Sequence, residues 1–237
     1  MNECIAAQKE KLADDIYKMT FRTDETRFTG PGQYARFHLG THTEAYQVCD
    51  YDSRRFTVVY RESEEIRFAL SELEFGAVVQ AETGLGNGFD VDAVPDGAYL
   101  VADSMGVSEM LELARCMLTR GKSYKVVLGY SSKSEIFMVD SFRNICNEIE
   151  VLTLDGSNGR QGMPSDVIRK ADYICASGSA AMLKALASKC KEGQFSISSL
   201  LIDLRERYCK VNSIDGSELA LRDGPVFDKN MVDWNTL

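Results

Sequence analysis

The stretch VPDGAYLVADSMGVSEMLELARCMLTRGKSYKVVLGY, residues 94–130, decides the fold class. Its AYLVAD and YKVVLGY runs are short and apolar, as buried strands are, and the segment between them repeats apolar residues at helical spacing. A strand, a helix and a second strand predict a right-handed β-α-β crossover and therefore a parallel sheet. The Pro and Gly of VPDG interrupt the pattern and indicate a domain boundary near residue 94.

The same alternation continues after residue 130. EIEVLTLD and DYICASG predict further buried strands, while KSEIFMVDSFRNIC, PSDVIRKA and SAAMLKALASKC predict helices. We therefore expect an α/β domain of the nucleotide-binding type over residues 95–192. Residues 193–237 form a short C-terminal tail, in which FSISSLLIDLRERYC is compatible with a strand leading into a helix.

The N-terminal third has a different rhythm. RFTGPGQYARFHL, EAYQVCDYDSRRFTVVYRE and FGAVVQAETGLGNGF contain short runs of period two, separated by turn residues. Strands at this spacing are typical of an antiparallel barrel or sandwich. The expected architecture is thus an antiparallel β-barrel over residues 1–94, followed by the parallel-sheet domain.

Composition excludes several classes of partner. The chain has 237 residues and a net charge of −9, so it offers no basic face for nucleic acid. No apolar run reaches membrane-spanning length, and the charged N-terminal segment does not resemble a secretory signal. Seven cysteines without a C-x-x-C pair predict reduced thiols and no metal site. We expect a cytoplasmic protein without nucleic-acid or membrane partners.

The loop GLGNGFDVD, residues 84–92, has two interpretations. Three glycines can cradle a phosphate, and they can equally serve a turn that needs positive φ angles. The loop alone does not decide between these interpretations.

Six motifs in order carry a family resemblance. They are GPGQY (30–34), GLGNGF (84–89), VVLGYSSKSEIF (126–137), TLDGSNGRQG (153–162), ASGSAAMLKAL (176–186) and DGPVF (223–227). With them the chain resembles the electron-transfer subunits of two-subunit, NAD-linked dihydroorotate dehydrogenases, which are ferredoxin-reductase-like flavoproteins of pyrimidine biosynthesis. The resemblance implies that hydride passes from NADH to FAD, and that single electrons then pass through a 2Fe–2S cluster to a partner dehydrogenase.

The resemblance also implies candidate cofactor-binding residues. For FAD they lie in the barrel, and for NAD(H) they lie in glycine-containing loops of the parallel domain, where open α/β sheets bind ligands. The candidates are Tyr46, Gly86, Asn87, Gly88, Gly106, Gly129, Asp155, Gly156, Ser157, Gly159 and Gly178. The alternative is that the glycines are turns needed for the fold. No catalytic residue is assigned, although Cys175 and Ser177 lie near the place of a reactive cysteine in relatives.

The phosphate-binding elements depart from the family pattern. Relatives have an arginine for the FAD pyrophosphate and a serine at the flavin edge, where this chain has Glu44 and Gln47. A second element, a Gly-Thr pair, is replaced by a segment containing three glutamates: Glu62, Glu64 and Glu65. A third, a glycine run, reads Asp-Ser-Met from Asp103 onward and keeps only its last glycine. A carboxylate repels a phosphate that arginine would bind bidentately.

The cluster ligands are also missing. Relatives hold four cysteines in the tail, where this chain has Cys209 alone and Arg222 before DGPVF. One thiolate cannot hold a 2Fe–2S cluster, so we predict none. Two hypotheses follow: an electron-transfer flavoprotein subunit that lacks the cluster, or a redox-inactive pseudo-reductase with a structural or regulatory role. A domain that binds a free nucleotide is a third. In each of the first two the expected partner is a dehydrogenase catalytic subunit, and homodimer and hetero-oligomer both remain open.

Overall fold

The structure is a computed structural model that describes residues 1–40, 42–62, 70–197, 202–203, 208–220 and 224–236. Its first part is a closed antiparallel barrel of six strands, in the order β1-β2-β5-β4-β3-β6. The strands are β1 (Asn2–Lys11), β2 (Ile16–Arg22), β3 (Tyr34–Leu39), β4 (His42–Tyr51), β5 (Arg55–Arg61) and β6 (Val78–Leu85). A 3-10 turn lies at Leu70–Glu72. The barrel confirms the prediction from period-two spacing.

Aromatic side chains fill the barrel. Phe21, Phe37 and Phe56 are fully buried, and the centroid of the Phe21 ring lies 4.9 Å from that of Phe37 and 5.4 Å from that of Phe56. Offset and tilted pairs at such distances contribute about 0.5–1.5 kcal/mol each beyond their buried area. The barrel therefore has a core of its own.

The second part is a seven-stranded sheet in the order β10-β9-β8-β7-β11-β12-β16. Its strands are β7 (Ala98–Asp103), β8 (Tyr124–Tyr130), β9 (Ile149–Thr153), β10 (Arg160–Gln161), β11 (Ala171–Ser177), β12 (Cys190–Ser196) and β16 (Val226–Asp228). All neighbours pair in parallel except β16, which is antiparallel to β12. This arrangement confirms the predicted parallel-sheet domain.

Four helices belong to this part: α1 (Gly106–Thr119), α2 (Val139–Arg143), α3 (Pro164–Val167) and α4 (Ala180–Ala187). The long helix predicted over KSEIFMVDSFRNIC is wrong, because the segment forms a 3-10 turn, Lys133–Glu135, and only then the short α2. Met138, between them, has a φ of +59°, which no continuous right-handed helix allows. Within the described residues, no helix is both long and apolar enough to span a membrane.

The C-terminal segment adds β16 to the large sheet and forms a small sheet of its own. Strand β12 continues past residue 192 to Ser196, and a small antiparallel sheet follows, formed by β13 (Ile202–Asp203), β14 (Tyr208–Asn212) and β15 (Glu218–Ala220). The strand in FSISSLLIDLRERYC is thus the end of β12. The helix expected after it is wrong at residues 208–209, which belong to β14, while residues 204–207 lie outside the described ranges.

The barrel and the sheet share a hydrophobic cluster. Ile16 and Cys49 of the barrel pack in one buried group with Leu111 and other residues of α1. At the edge of this contact Arg61 donates to Asp15 (2.9 Å) and to Glu135 (2.7 Å), which joins β5 to the loop before α2. The interface therefore holds the end of β4 against α1, and this contact positions the site described next.

Candidate cofactor site at the junction of barrel and sheet

The sheet reverses its direction of winding at β7. The chain proceeds from β7 outward through β8 and β9 on one side, and β11 and β12 lie on the other side. Open α/β sheets bind ligands outside the carboxyl ends of the strands at such a switch point. A cavity of about 190 Å³ lies there, lined by residues that include Asp103, Gly129, Met163 and Ser179. Pockets for drug-sized ligands are typically about 300–1,000 Å³.

Asp103 ends β7 and faces the first residue of the α4 turn. Its carboxylate accepts hydrogen bonds from the backbone N–H of Ser179 (2.6 Å) and from the Ser179 hydroxyl (2.5 Å). Burial raises the pKa of Asp103, and the two bonds from Ser179 oppose that rise. Ser104 follows with a φ of +50°, a conformation more typical of glycine. A carboxylate thus stands beside the α4 N-terminus, the kind of place where helices receive anions.

The glycines of the switch point face the chain itself. A side chain built on Gly106 would overlap the Ser177 carbonyl, and one on Gly129 would lie 2.5 Å from Pro164. One on Gly178 would overlap the Asp103 carboxylate. The three glycines therefore allow close packing of α1 on β11, of β8 on α3, and of the residue after β11 on the end of β7.

The loop after β9 is a closed turn. Asp155 accepts from the backbone N–H (2.9 Å) and the hydroxyl (2.6 Å) of Ser157, which lowers the pKa of Asp155. The Ser157 oxygen also accepts from the backbone N–H of Lys133 (2.7 Å). A side chain on Gly156 would lie 3.2 Å from Gln161, and one on Gly159 would overlap the Val151 carbonyl. The contacts of these four candidate residues are thus with one another or with neighbouring parts of the chain. Asp155 lies exposed at the rim of the loop.

The loop GLGNGF is attached to the C-terminal segment. The Asn87 side chain donates to the Val226 carbonyl (2.6 Å) and accepts from the Val226 N–H (3.1 Å). A side chain on Gly86 would lie 2.7 Å from the Gly224 carbonyl, and one on Gly88 would lie 2.6 Å from the Pro31 carbonyl. Gly86 and Asn87 thus lie against the C-terminal segment, whereas Gly88 packs against Pro31.

Tyr46 lies among barrel aromatics beside a carboxylate. Its hydroxyl donates to Glu44, two residues earlier on β4, and its ring meets Phe37 and Tyr60 edge-on at centroid distances of 5.9 and 6.2 Å. Burial and Glu44 raise the pKa of Tyr46 well above its ordinary value. The carboxylate of Glu44, which the sequence predicted near the flavin phosphates, therefore lies next to the ring of Tyr46.

Of the three glutamates predicted at the second phosphate element, Glu62 is exposed and donates its backbone N–H to Asp15. Glu64 and Glu65 lie outside the described residues.

A buried polar cluster joins the two parts of the fold, and sequence reasoning missed its centre. The Glu109 cluster consists of Gln47, Glu109, Ser177 and Ser196. Gln47 of β4 donates to the Ser196 hydroxyl (3.0 Å), and Ser177 donates to Glu109 (2.5 Å). Glu109 is 0% exposed, and its Oε1 has no hydrogen-bond partner in the structure. Burial raises the pKa of Glu109 to about 7, against the lowering effect of Ser177, Ser196 and Gln47.

These groups do not fit the phosphates of a dinucleotide. Asp103 and Glu44 place carboxylates at two of the predicted anion positions, where like charges repel. Gln47, predicted at the flavin edge, bonds directly to the sheet. Among the described residues, no group of three or more His, Cys, Asp or Glu side chains could hold a metal ion.

A closed antiparallel barrel followed by a parallel sheet, with a crevice at the switch point of that sheet, is a ferredoxin-reductase-like fold. A solved structure of an NADH-dependent reduced ferredoxin-NADP oxidoreductase has a TM-score of 0.82, with 23% identity over 99% of this chain and 91% of the other. Phthalate dioxygenase reductase has a TM-score of 0.66, with 14% identity over 93% of this chain and 77% of the other. At these identities the likeness concerns the fold.

Curated relatives identify the family within the ferredoxin-reductase-like proteins. The dihydroorotate dehydrogenase B (NAD+) electron transfer subunit of Geobacillus sp. (strain WCH70) is 33% identical, and that of Bacillus caldolyticus is 30% identical. Each match covers 93% of this chain and 94% of the relative. No protein-family model matches. The chain belongs to the family of dihydroorotate dehydrogenase B electron transfer subunits, which confirms the resemblance carried by the six motifs.

Proposed function

We propose that this chain is the second subunit of a dehydrogenase and docks on a catalytic subunit. The single observation that carries the proposal is the match to electron transfer subunits over nearly the whole of both chains. The proposal concerns a soluble complex without nucleic acid or membrane.

Electron transfer between a nicotinamide nucleotide and this partner is the first candidate activity. It follows from family membership, and FAD and NAD(H) are its candidate cofactors. It works without a 2Fe–2S cluster, because the tail has Cys209 alone where four ligands are required. Tyr46 remains the candidate side chain for contact with a flavin. The glycine-containing loops of the parallel domain remain the candidate nucleotide groove.

A redox-inactive partner subunit is the second candidate, and specific contacts favour it. Asp103 occupies the α4 N-terminus, Glu44 accepts from Tyr46, and Gln47 bonds across the junction to Ser196. Each lost charge-assisted contact to a phosphate weakens binding by about 1.5–3 kcal/mol. Several such losses together lower dinucleotide affinity by orders of magnitude.

A visible absorption spectrum decides between the two candidates. We expect protein purified without added cofactor to carry far less than one flavin per chain, because Glu44 repels the FAD pyrophosphate. Glu44→Arg should raise the occupancy, and the same change at exposed Glu3 on β1 is the matched control. A flavin spectrum at one equivalent in the unchanged protein would exclude the redox-inactive candidate. If FAD produces neither colour nor a thermal shift, electron transfer through FAD is excluded.

Docking is tested by purification from the native host. We expect a tagged chain to be recovered with a dehydrogenase catalytic subunit in a constant ratio, identified by mass spectrometry. Recovery of the chain alone, or only as a homodimer, would contradict the proposed subunit role. The spectrum does not affect this result, because both candidates require the same partner.

A further inference from the structure

The N-termini of two helices meet at the switch point. Helix α1 begins at Gly106, three residues after the last residue of β7, and α4 begins at Ala180, three residues after the last residue of β11. The first turn of a helix has backbone N–H groups without helical partners and a partial positive charge. The crevice between β7 and β11 therefore favours an anion, whichever molecule supplies it.

In this chain the anion is part of β7 itself. The Asp103 carboxylate bonds to the N–H and the hydroxyl of Ser179, while the Ser179 oxygen also accepts from the N–H of Met182 (3.4 Å). One side chain thus completes the N-terminal cap of α4. Burial raises the pKa of Asp103, and the two donors of Ser179 act in the opposite direction by favouring the ionised carboxylate.

The carboxylate also fills the space through which a phosphate would approach. Gly178 has a φ of +148°, and a side chain built on it would overlap the Asp103 oxygen. The remaining cavity has Asp103 and Ser179 in its wall. A phosphate entering it meets a negative charge at contact distance in a partly buried site, where such repulsion is weakly screened.

We infer that Asp103 is an internal anion that keeps the phosphates of free nucleotides out of the switch-point crevice. The inference concerns nucleotide binding by the isolated chain, and it holds whether or not the chain docks on a dehydrogenase. A purely structural role for Asp103 as a helix cap makes a different prediction, because removing a cap alone creates no affinity for a phosphate.

The test is calorimetric titration of ADP into the isolated chain and into Asp103→Asn. Asparagine keeps the shape and an acceptor for Ser179 but removes the charge. We expect no measurable ADP binding by the unchanged protein, and a dissociation constant for the variant that lies at least tenfold below the detection limit, equivalent to about 1.4 kcal/mol. The gain should fall with added salt and should be absent for adenosine, which lacks phosphates.

Asp172→Asn is the matched control, because it removes an exposed carboxylate of β11 that lies outside the candidate nucleotide groove. An equal gain in ADP affinity in this control would show that net charge alone causes the effect, and it would overturn the inference. Tight ADP binding by the unchanged protein at neutral pH would overturn it even if Asp103→Asn fails to fold. A folded Asp103→Asn protein without any gain would also contradict it.

Discussion

Glu109→Gln is expected to raise the free energy of unfolding at pH 8 by as much as about 3 kcal/mol. The pKa of Glu109 rises from 4.5 to about 7 in the folded state, and each unit corresponds to about 1.4 kcal/mol. At pH 8 the folded protein must therefore hold a buried carboxylate whose Oε1 has no hydrogen-bond partner. Glutamine has the shape of the neutral acid and avoids this charge.

The sign of the pH dependence follows from proton binding. Between about pH 4.5 and 7 the unfolded chain has released the Glu109 proton while the folded chain keeps it, so stability falls as the pH rises. The gain from Glu109→Gln should thus be small at pH 5 and complete at pH 8. No charged side chain is among the groups that shift this pKa, which are Ser177, Ser196 and Gln47.

Urea unfolding of both proteins at pH 5 and pH 8 measures the effect. Glu150→Gln, which neutralises an exposed glutamate of β9, is the control and should show little difference between the two pH values. A Glu109→Gln protein that is less stable by the same amount at both pH values would show that Glu109 acts only through its hydrogen bond with Ser177.

Gly159→Ala is expected to destabilise the fold by roughly 2–5 kcal/mol. Gly159 has a φ of +67°, which costs alanine about 1–2 kcal/mol. The added methyl group would also overlap the Val151 carbonyl, and overpacking adds about 1–3 kcal/mol. The interpretation of this glycine as a turn residue requires the loss of stability, whereas a bare ligand cradle would lose binding alone.

Gly121→Ala separates the two contributions. Gly121 has a φ of +69°, almost that of Gly159, but a side chain built on it meets nothing within 4 Å. Its loss should therefore be only about 1–2 kcal/mol, from the backbone conformation. Chemical denaturation of the two variants gives the difference. Equal losses would mean that the contact of Gly159 with Val151 carries no energetic penalty.

The sequence predicts the two parts of the fold because their periodicities differ. Period-two runs gave the barrel and apolar runs with helical segments gave the parallel sheet, since local burial decides both patterns. The helix over residues 133–146 was wrong because Met138 adopts a positive φ, and nothing about a methionine signals this conformation. In strand β12 the exposed Lys191 and Glu192 follow buried Cys190, so its first half lacks a continuous apolar run.

The sequence singles out individual residues near the switch point, but it does not show how they combine. Asp103 was identified as a departure from a glycine run, and the structure places it at the switch point. Glu109 lies at helical spacing from Gly106 and Leu113 on the packed face of α1, which was the available signal. Its burial depends on Gln47 and Ser196, which are distant in sequence, so no local pattern reveals it.

The hydrogen bonds between the GLGNGF loop and the C-terminal segment affect the order of folding during synthesis. Asn87 bonds to Val226, which is 139 residues further along. At ribosomal speeds of about 5–20 residues per second, Val226 is synthesised roughly 7–30 seconds after Asn87. During this interval the GLGNGF turn, which follows the last strand of the barrel, lacks its two hydrogen bonds to Val226. Until Val226 is synthesised, this turn is therefore more accessible to proteases and chaperones than it is in the folded protein.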